Sequence, residues 1–129
     1  MNTTALAFLG DAVYEVYVRE HVLMKGEIHA DALHREAVRY VKASAQAKII
    51  KELMSDDENG GRFLSDEELA LVKRARNHKI TSKPRNAGAV EYKLATAFEA
   101  LIGWHFSEKN TDRLKEIIEA GFDIIGEKK

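Results

Sequence analysis

Apolar residues recur along this chain at three- and four-residue intervals, and alternating, strand-like runs are hard to find. From Thr4 to Leu23 the apolar set includes Leu6, Leu9, Val13, Val16 and Leu23. That run stops at Lys25-Gly26, a cation followed by a glycine suited to a helix C-terminus. Asp31 is placed to cap a second helix carrying Leu33, Ala37, Val38 and Val41. Ser44 caps or bends the chain into a third, with Ala47, Ile50, Leu53 and Met54. The polar stretch SDDENGGRF, Ser55 to Phe63, is a loop. Ser65 and Glu68 have capping-box spacing ahead of Leu69, Val72 and Ala75. Asn77 to Gly88 has no periodicity and contains Pro84, the only proline, so it reads as a second loop. A long apolar helix runs from about Val90 to Phe106. An amphipathic one follows, starting near Asn110 or Thr111 and carrying Leu114, Ile117, Ile118, Phe122 and Ile125. The pattern predicts a single all-α domain of about six helices over residues 1–129.

Two of these helices carry residues that their pattern does not explain. The first has Gly10 and Asp11 in the middle of ALAFLGDAVYEVYVREHV, where glycine costs about 1 kcal/mol against alanine and aspartate is a weak helix former. The fifth has Glu99 inside ATAFEALIGWHF. A buried carboxylate is expensive unless it is neutral or partnered, and two facing each other from neighbouring helices repel. A divalent cation removes that conflict, because hard cations such as Mg²⁺ take carboxylate oxygens together with waters. The same ion can activate water and stabilise the oxygens of a phosphodiester being displaced. Gly10 and Gly103 fit this picture, since their missing side chains let two helices approach closely. The competing reading leaves Asp11 exposed on an ordinary amphipathic helix and pairs Glu99 with a Lys or Arg. Glu15, one turn after Asp11, is a solvated or paired acid or a further member of the site.

Composition narrows the chemistry. The chain has 129 residues, a net charge of −1 and no cysteine. A disulfide framework, thiol catalysis and a cysteine-held zinc or iron–sulfur site are thereby excluded. No apolar run approaches the roughly 20 residues that span a bilayer, and no secretory signal pattern is visible, so a cytoplasmic location is expected. The five histidines lack a metal-binding spacing such as H-E-x-x-H and read as surface or partly packed residues. Arg35 and Arg39 flank Glu36, which makes a surface ion pair at least as good a reading as a phosphate contact. Trp104 and Phe106 read as core or interface residues.

The near-neutral total hides a local concentration of charge. Between Lys73 and Lys93 the bases are Lys73, Arg74, Arg76, Lys79, Lys83, Arg85 and Lys93, and Glu91 is the only acid. Such groups contact phosphates without reading sequence. The loop itself has no aromatic residue on which single-stranded bases could stack, which suits a duplex backbone better. The bland alternative is a solvated charge run at a helix C-terminus.

Together, LAFLGDAVYEVYV and TAFEALIGWHF, in that order and with a basic loop before the second, resemble the two acidic helices of the ribonuclease III catalytic domain. LHREAVRYVKASAQAKII and RARNHKITSKPRNAG narrow the resemblance to its short bacterial branch, Mini-ribonuclease III, which has no double-stranded RNA-binding domain. The resemblance covers nearly the whole chain. It implies a ribonuclease III endonuclease-domain-like helical fold that forms a symmetric homodimer, with one Mg²⁺ site in each protomer. It also implies staggered cleavage of double-stranded RNA, in this branch a stem of the large-subunit ribosomal RNA precursor, with a ribosomal protein as a potential presenting partner. Asp11 and Glu99 match the family's metal-binding and catalytic acids. Arg74, Arg76, Lys79, Lys83 and Arg85 are the expected RNA contacts. The broader family has acids where this chain has Ala7 and Thr96, so half of the usual carboxylate cluster is missing. Two outcomes follow from that loss: an endoribonuclease with a reduced site, or a duplex-RNA-binding module in ribosome assembly that cuts weakly or not at all.

Overall fold

The structure, a computed structural model, describes residues 2–56, 61–77 and 88–126. These residues form α1 (Thr3–Met24), α2 (Ala30–Val41), α3 (Ala43–Met54), α4 (Asp66–Arg76), α5 (Gly88–Ser107) and α6 (Thr111–Gly126). There is no strand among them, only an isolated antiparallel bridge between Asp56 and Arg62. The all-α expectation holds, with six helices in the described residues.

Helix α5 is the centre of the domain. Nine of its residues are buried, among them Leu94, Phe98, Leu101 and Ile102, and they point to every side of the helix. A helix that is apolar all round has to be enclosed. Here α1, α3 and α4 surround α5, with α1 making the most extensive contact. Helices α2 and α6 are strongly amphipathic and pack outside this group, α2 against α1 and α6 against α3 and α5.

Helix ends show where local chemistry acts. Asn2 caps α1 by accepting from the Ala5 N–H at 2.7 Å. Gly26 closes that helix with φ of +98°, a conformation that favours glycine. The Ser65–Glu68 capping box forms in full at α4. Two expected caps are displaced. His29 occupies the N-cap of α2 and Lys42 that of α3, neither with a side-chain cap bond. Asp31 and Ser44 lie inside the first turns instead. At α3 the chain runs almost directly from α2, with Lys42 serving as the C-cap of one helix and the N-cap of the next.

The buried face of α1 is also not the one that Leu9, Val16 and Leu23 suggest. Val16 and Leu23 are exposed, whereas Leu6, Ala7, Gly10, Val13, Tyr14, Val18 and Val22 face the core. Apolar residues lie on both faces of α1, and the face that carries Gly10 is the one able to meet α5 most closely.

Candidate active site

The α1–α5 contact is a backbone-to-backbone contact at two glycines. A Cβ placed on Gly10 would lie 1.8 Å from the Glu99 carbonyl oxygen and 2.9 Å from the Gly103 nitrogen. A Cβ on Gly103 would lie 2.0 Å from the Leu6 carbonyl oxygen. The expected role of both glycines is therefore observed. Asp11 follows Gly10 directly, so its carboxylate is carried to the edge of this crossing. Glu99 supplies the carbonyl that occupies the space a Gly10 side chain would need.

The two acids meet there. Asp11 is exposed and Glu99 is partly buried, and their carboxyl groups are within hydrogen-bonding reach of each other. Burial, then the negative charge of Asp11, then the hydrogen bond to Asp11 push the Glu99 carboxyl up to about 8, against a smaller opposing effect of Gln46. Glu99 thus holds a proton at neutral pH when nothing else compensates the charge. Among the described residues neither acid has an ion-pair partner.

Gln46, on the first turn of α3, is the neighbour that sequence reasoning missed. It is 3% exposed, and its side-chain amide lies within reach of the Glu99 carboxyl. A glutamine between alanines in ASAQAKII carries no motif. Its one visible signal is a polar residue on the face that also carries Ile49, Ile50 and Leu53.

The remaining candidates separate. Glu15 accepts from Arg19 Nε at 3.1 Å and, with Arg19, lines a groove between α1 and α2. Ala7 is buried, and the Thr96 hydroxyl donates to the Tyr92 carbonyl at 2.9 Å, so neither replaces a missing acid. Among the described residues no group of three or more His, Asp or Glu side chains converges as around a metal. Arg74 is exposed on the last turn of α4. Arg76 borders an open cleft together with Lys51 of α3 and Lys93 of α5, which brings bases from three helices together. Lys93 lies six residues before Glu99 on α5, about 9 Å along the helix axis. Lys51, five residues after Gln46, is a base that the linear sequence hides. Lys79, Lys83 and Arg85 lie outside the described residues.

A separate buried polar cluster joins α4, α5 and α6. Glu68, 3% exposed, accepts from Arg113 Nε at 2.8 Å, from Arg113 Nη2 at 2.7 Å and from the Ser65 N–H at 2.8 Å. His105 Nε2 lies 2.7 Å from Glu68 Oε2, and the other ring nitrogen lies 3.1 Å from the Asn110 amide. Burial alone would raise the Glu68 carboxyl, but Arg113, Ser65 and His105 together outweigh it and hold the group at about 2. His105 is thus a fully buried structural residue, not a surface one. Glu36 does form the surface ion pair with Arg39, and a second with Lys25.

The family profile described as Ribonuclease III domain matches residues 4–110. The chain is 44% identical over 124 residues to Mini-ribonuclease 3 of Brevibacillus brevis, covering 96% of this chain and 87% of that protein. It is 42% identical to Mini-ribonuclease 3 of Symbiobacterium thermophilum, over 93% of this chain and 87% of the relative. A crystal structure of a Fusobacterium nucleatum protein, 32% identical, superposes with a TM-score of 0.80 over 95% of this chain and 88% of that one. The match spans both acidic helices and the whole α1–α5 crossing, and the chain therefore belongs to the ribonuclease III domain family, in its Mini-ribonuclease 3 group.

Proposed function

We propose that this chain, an endoribonuclease by family, hydrolyses phosphodiester bonds of double-stranded RNA at the Asp11–Glu99 pair. The observation that carries the reading is the pair itself: two carboxyl groups pressed together at the edge of a helix crossing, with no ion-pair partner among the described residues. That placement opposes folding stability, and departures from local consistency of this kind mark functional sites. An all-oxygen donor set lacking positive charge fits a hard divalent cation, so Asp11 and Glu99 are the residues that would hold Mg²⁺, largely through water. Such an ion neutralises charge on the scissile phosphate and makes water a better nucleophile.

The chain's own residues do the rest. Asp11, at the exposed end of the pair, orients water toward the duplex. Glu99, half-buried, holds a proton when the site is empty of charge and gives it up when a cation compensates. Arg74 and Arg76, with Lys79, Lys83 and Arg85 of the following segment, fix the RNA backbone through phosphate contacts. Duplex RNA read by shape and phosphate suits such a set of bases.

Two copies pair about a two-fold axis through the outer face of α1, where Phe8, Val16 and Leu23 form an exposed apolar stripe. Helix α5 also keeps apolar side chains exposed, at Val90, Tyr92 and Phe106. The RNA is a stem of the large-subunit ribosomal RNA precursor, processed in the cytoplasm with a ribosomal protein presenting it. Among the described residues no helix is long and apolar enough to cross a membrane.

One observation favours a second reading, a duplex-RNA binder that cuts weakly or not at all: among the described residues only two acids converge where the broader family resemblance implies four. Cleavage of a long perfect RNA duplex, with Mg²⁺ and with chelator, decides between them. The enzyme cuts only with Mg²⁺, and Asp11→Asn abolishes cutting while folding and RNA affinity persist. Undiminished cleavage by Asp11→Asn refutes the assignment, and binding without cleavage by the unaltered chain supports the second reading.

A further inference from the structure

The partly buried bases of this chain divide by partner. Among the described residues they are Arg62, Arg76, Lys93 and Arg113. Arg62 pairs with Asp66, and Arg113 pairs with Glu68 and Glu116. Arg76 and Lys93 form no ion pair among the described residues, and Arg76 Nε has only the neutral Asn77 Oδ1, at 3.4 Å. Both line one open cleft where α3, α4 and α5 meet, and Lys51 joins them there. No carboxylate lines that cleft, and Met54, Val90 and Leu94 make its walls largely apolar. Helix ends account for part of this arrangement. Lys51 and Arg76 stand in the last turns of α3 and α4, where a base is favoured. Lys93 stands in the second turn of α5 and gains nothing from its own helix. Removing a cation from water without a carboxylate opposes folding, and such departures mark functional sites.

We infer that this cleft is a phosphate-binding site for the substrate duplex, in which Lys51, Arg76 and Lys93 together hold one backbone phosphate a few nucleotides from the scissile bond. The inference rests on the duplex-RNA reading and deepens it, adding Lys51 and Lys93 to the contacts. The chemistry selects a phosphate. Its oxygens accept in several directions at once, so a planar guanidinium and two ammonium groups arriving from three helices can each take their own. Apolar walls keep the local dielectric low, which strengthens every charge in the cleft. The three helices are fixed by buried neighbours of the bases, Leu53, Ala75 and Leu94, so the stems spring from rigid elements. Position follows from α5. Lys93 precedes Glu99 by six residues, about 9 Å along the axis. A duplex presents roughly one phosphate per 3.4 Å of each strand, which puts the cleft within about three nucleotides of the acid pair. A contact of this kind sets the register of the strand and reads no base.

The test is binding of a labelled perfect RNA duplex by the intact chain in chelator, read by fluorescence anisotropy from about 50 to about 200 mM salt. Lys51→Gln and Lys93→Gln should each weaken binding and each lower the slope of log affinity against log salt by about one. For the double variant, the affinity gap to the unaltered chain then narrows about tenfold across that range. The control is Lys109→Gln with Lys115→Gln, which removes the same charge from the α5–α6 turn and from α6 and should keep the slope. Slopes in the cleft variants equal to that of the unaltered chain overturn the inference and leave the duplex-RNA reading standing. An equal loss of slope in the control shows diffuse attraction in place of a site and also overturns it. Absence of salt-dependent binding by the unaltered chain overturns both. Inorganic phosphate separates the backbone from a free anion: unaltered slopes, with melts that phosphate raises only when Lys93 is present, assign the cleft to free phosphate and overturn the inference. Should Lys93→Gln fail to fold, the exposed Lys51→Gln decides alone, and an unchanged slope there overturns the inference.

Discussion

Replacing Gly10 by alanine tests the logic of this fold most directly, because two principles predict opposite signs. In an isolated helix the change is favourable by about 1 kcal/mol. Here the new Cβ would stand 1.8 Å from the Glu99 carbonyl oxygen. Even a favourable C–H···O contact keeps carbon and oxygen about 3.3 Å apart, so α1 and α5 must separate by about 1.5 Å locally. The obstacle is backbone within the central helix, which has no rotamer to change. Contacts around Leu6, Tyr14, Phe98 and Ile102 loosen with the separation, and a gap of 0.5–1 Å already forfeits about a quarter to a half of a dispersion contact. Over-packing by a methyl group typically costs about 1–3 kcal/mol. A rigid obstacle in the most extensive interface places Gly10→Ala at or above the top of that range, about 3 kcal/mol net, or roughly 10 °C in melting temperature. Gly121→Ala is the matched control: its Cβ would meet only the Ile49 side chain, at 3.1 Å, which can adjust. Its net change is expected within about 1 kcal/mol. Urea unfolding of both variants gives the answer, and a Gly10→Ala protein as stable as the unaltered chain would refute the reasoning. Cleavage at temperatures where the variant stays folded adds a second readout. Displacing Asp11 from Glu99 by about 1 Å should cost on the order of 100-fold in rate.

Three further outcomes follow from the charges. In chelator, the folded state keeps the Glu99 proton between about pH 4.5 and about 8 while the unfolded state has released it, so stability falls as pH rises through that window. The slope reaches at most about 1.4 kcal/mol per pH unit; urea titrations at several pH values should show it, and a flat profile would contradict the pairing. Asp11→Asn removes the repelling charge and should flatten the same profile, which those titrations check. Glu68→Gln removes the buried charge partner of Arg113, leaving it only the exposed Glu116, and should destabilise by about 3 kcal/mol in urea, while the Mg²⁺ dependence of cleavage stays unchanged.

The six helices of the described residues were legible in the sequence because periodicity and end signals are local properties; most of the Asn77–Gly88 loop and residues 57–60 of the Ser55–Phe63 loop lie outside the described residues. Ser65, Glu68, Lys25 and Gly26 act on backbone groups a few residues away, and all four stand where the pattern put them. Which face of α1 turns inward was not legible. Both faces are apolar, and the choice is made by Gly103, more than ninety residues further along. The caps at Asp31 and Ser44 failed for a related reason: α2 and α3 nearly abut, and the junction is set by packing and by Gln46 reaching back to Val41. The pairing of Glu68 with His105 and Arg113 was not legible, since these partners lie tens of residues away. The acid pair was legible as an anomaly, two carboxylates in apolar helices, but its third neighbour was not, because a glutamine on α3 breaks no local rule.

The glycine contact and the acid pair are one device. Side chains on α1 and α5 at an ordinary crossing would hold the axes 8–10 Å apart, and short carboxylates beside it would then be separated by the bulk between them. Removing the side chains at Gly10 and Gly103 brings backbone against backbone, so that an aspartate, with a single methylene before its carboxyl, reaches the glutamate of the facing helix. Closeness raises the mutual repulsion, which adds to burial in favouring the protonated form of Glu99. The same closeness makes the pair a strong attractor for a doubly charged ion, because the repulsion that a cation relieves has already been incurred on folding. Gly10→Ala and Asp11→Asn therefore probe the same construction from two ends: one moves the carboxylates apart with their charges intact, the other removes a charge with the geometry intact. Both should weaken Mg²⁺ binding, but only Gly10→Ala should lower stability. Loss of stability in both, or of binding in only one, would show that the close approach and the site are independent.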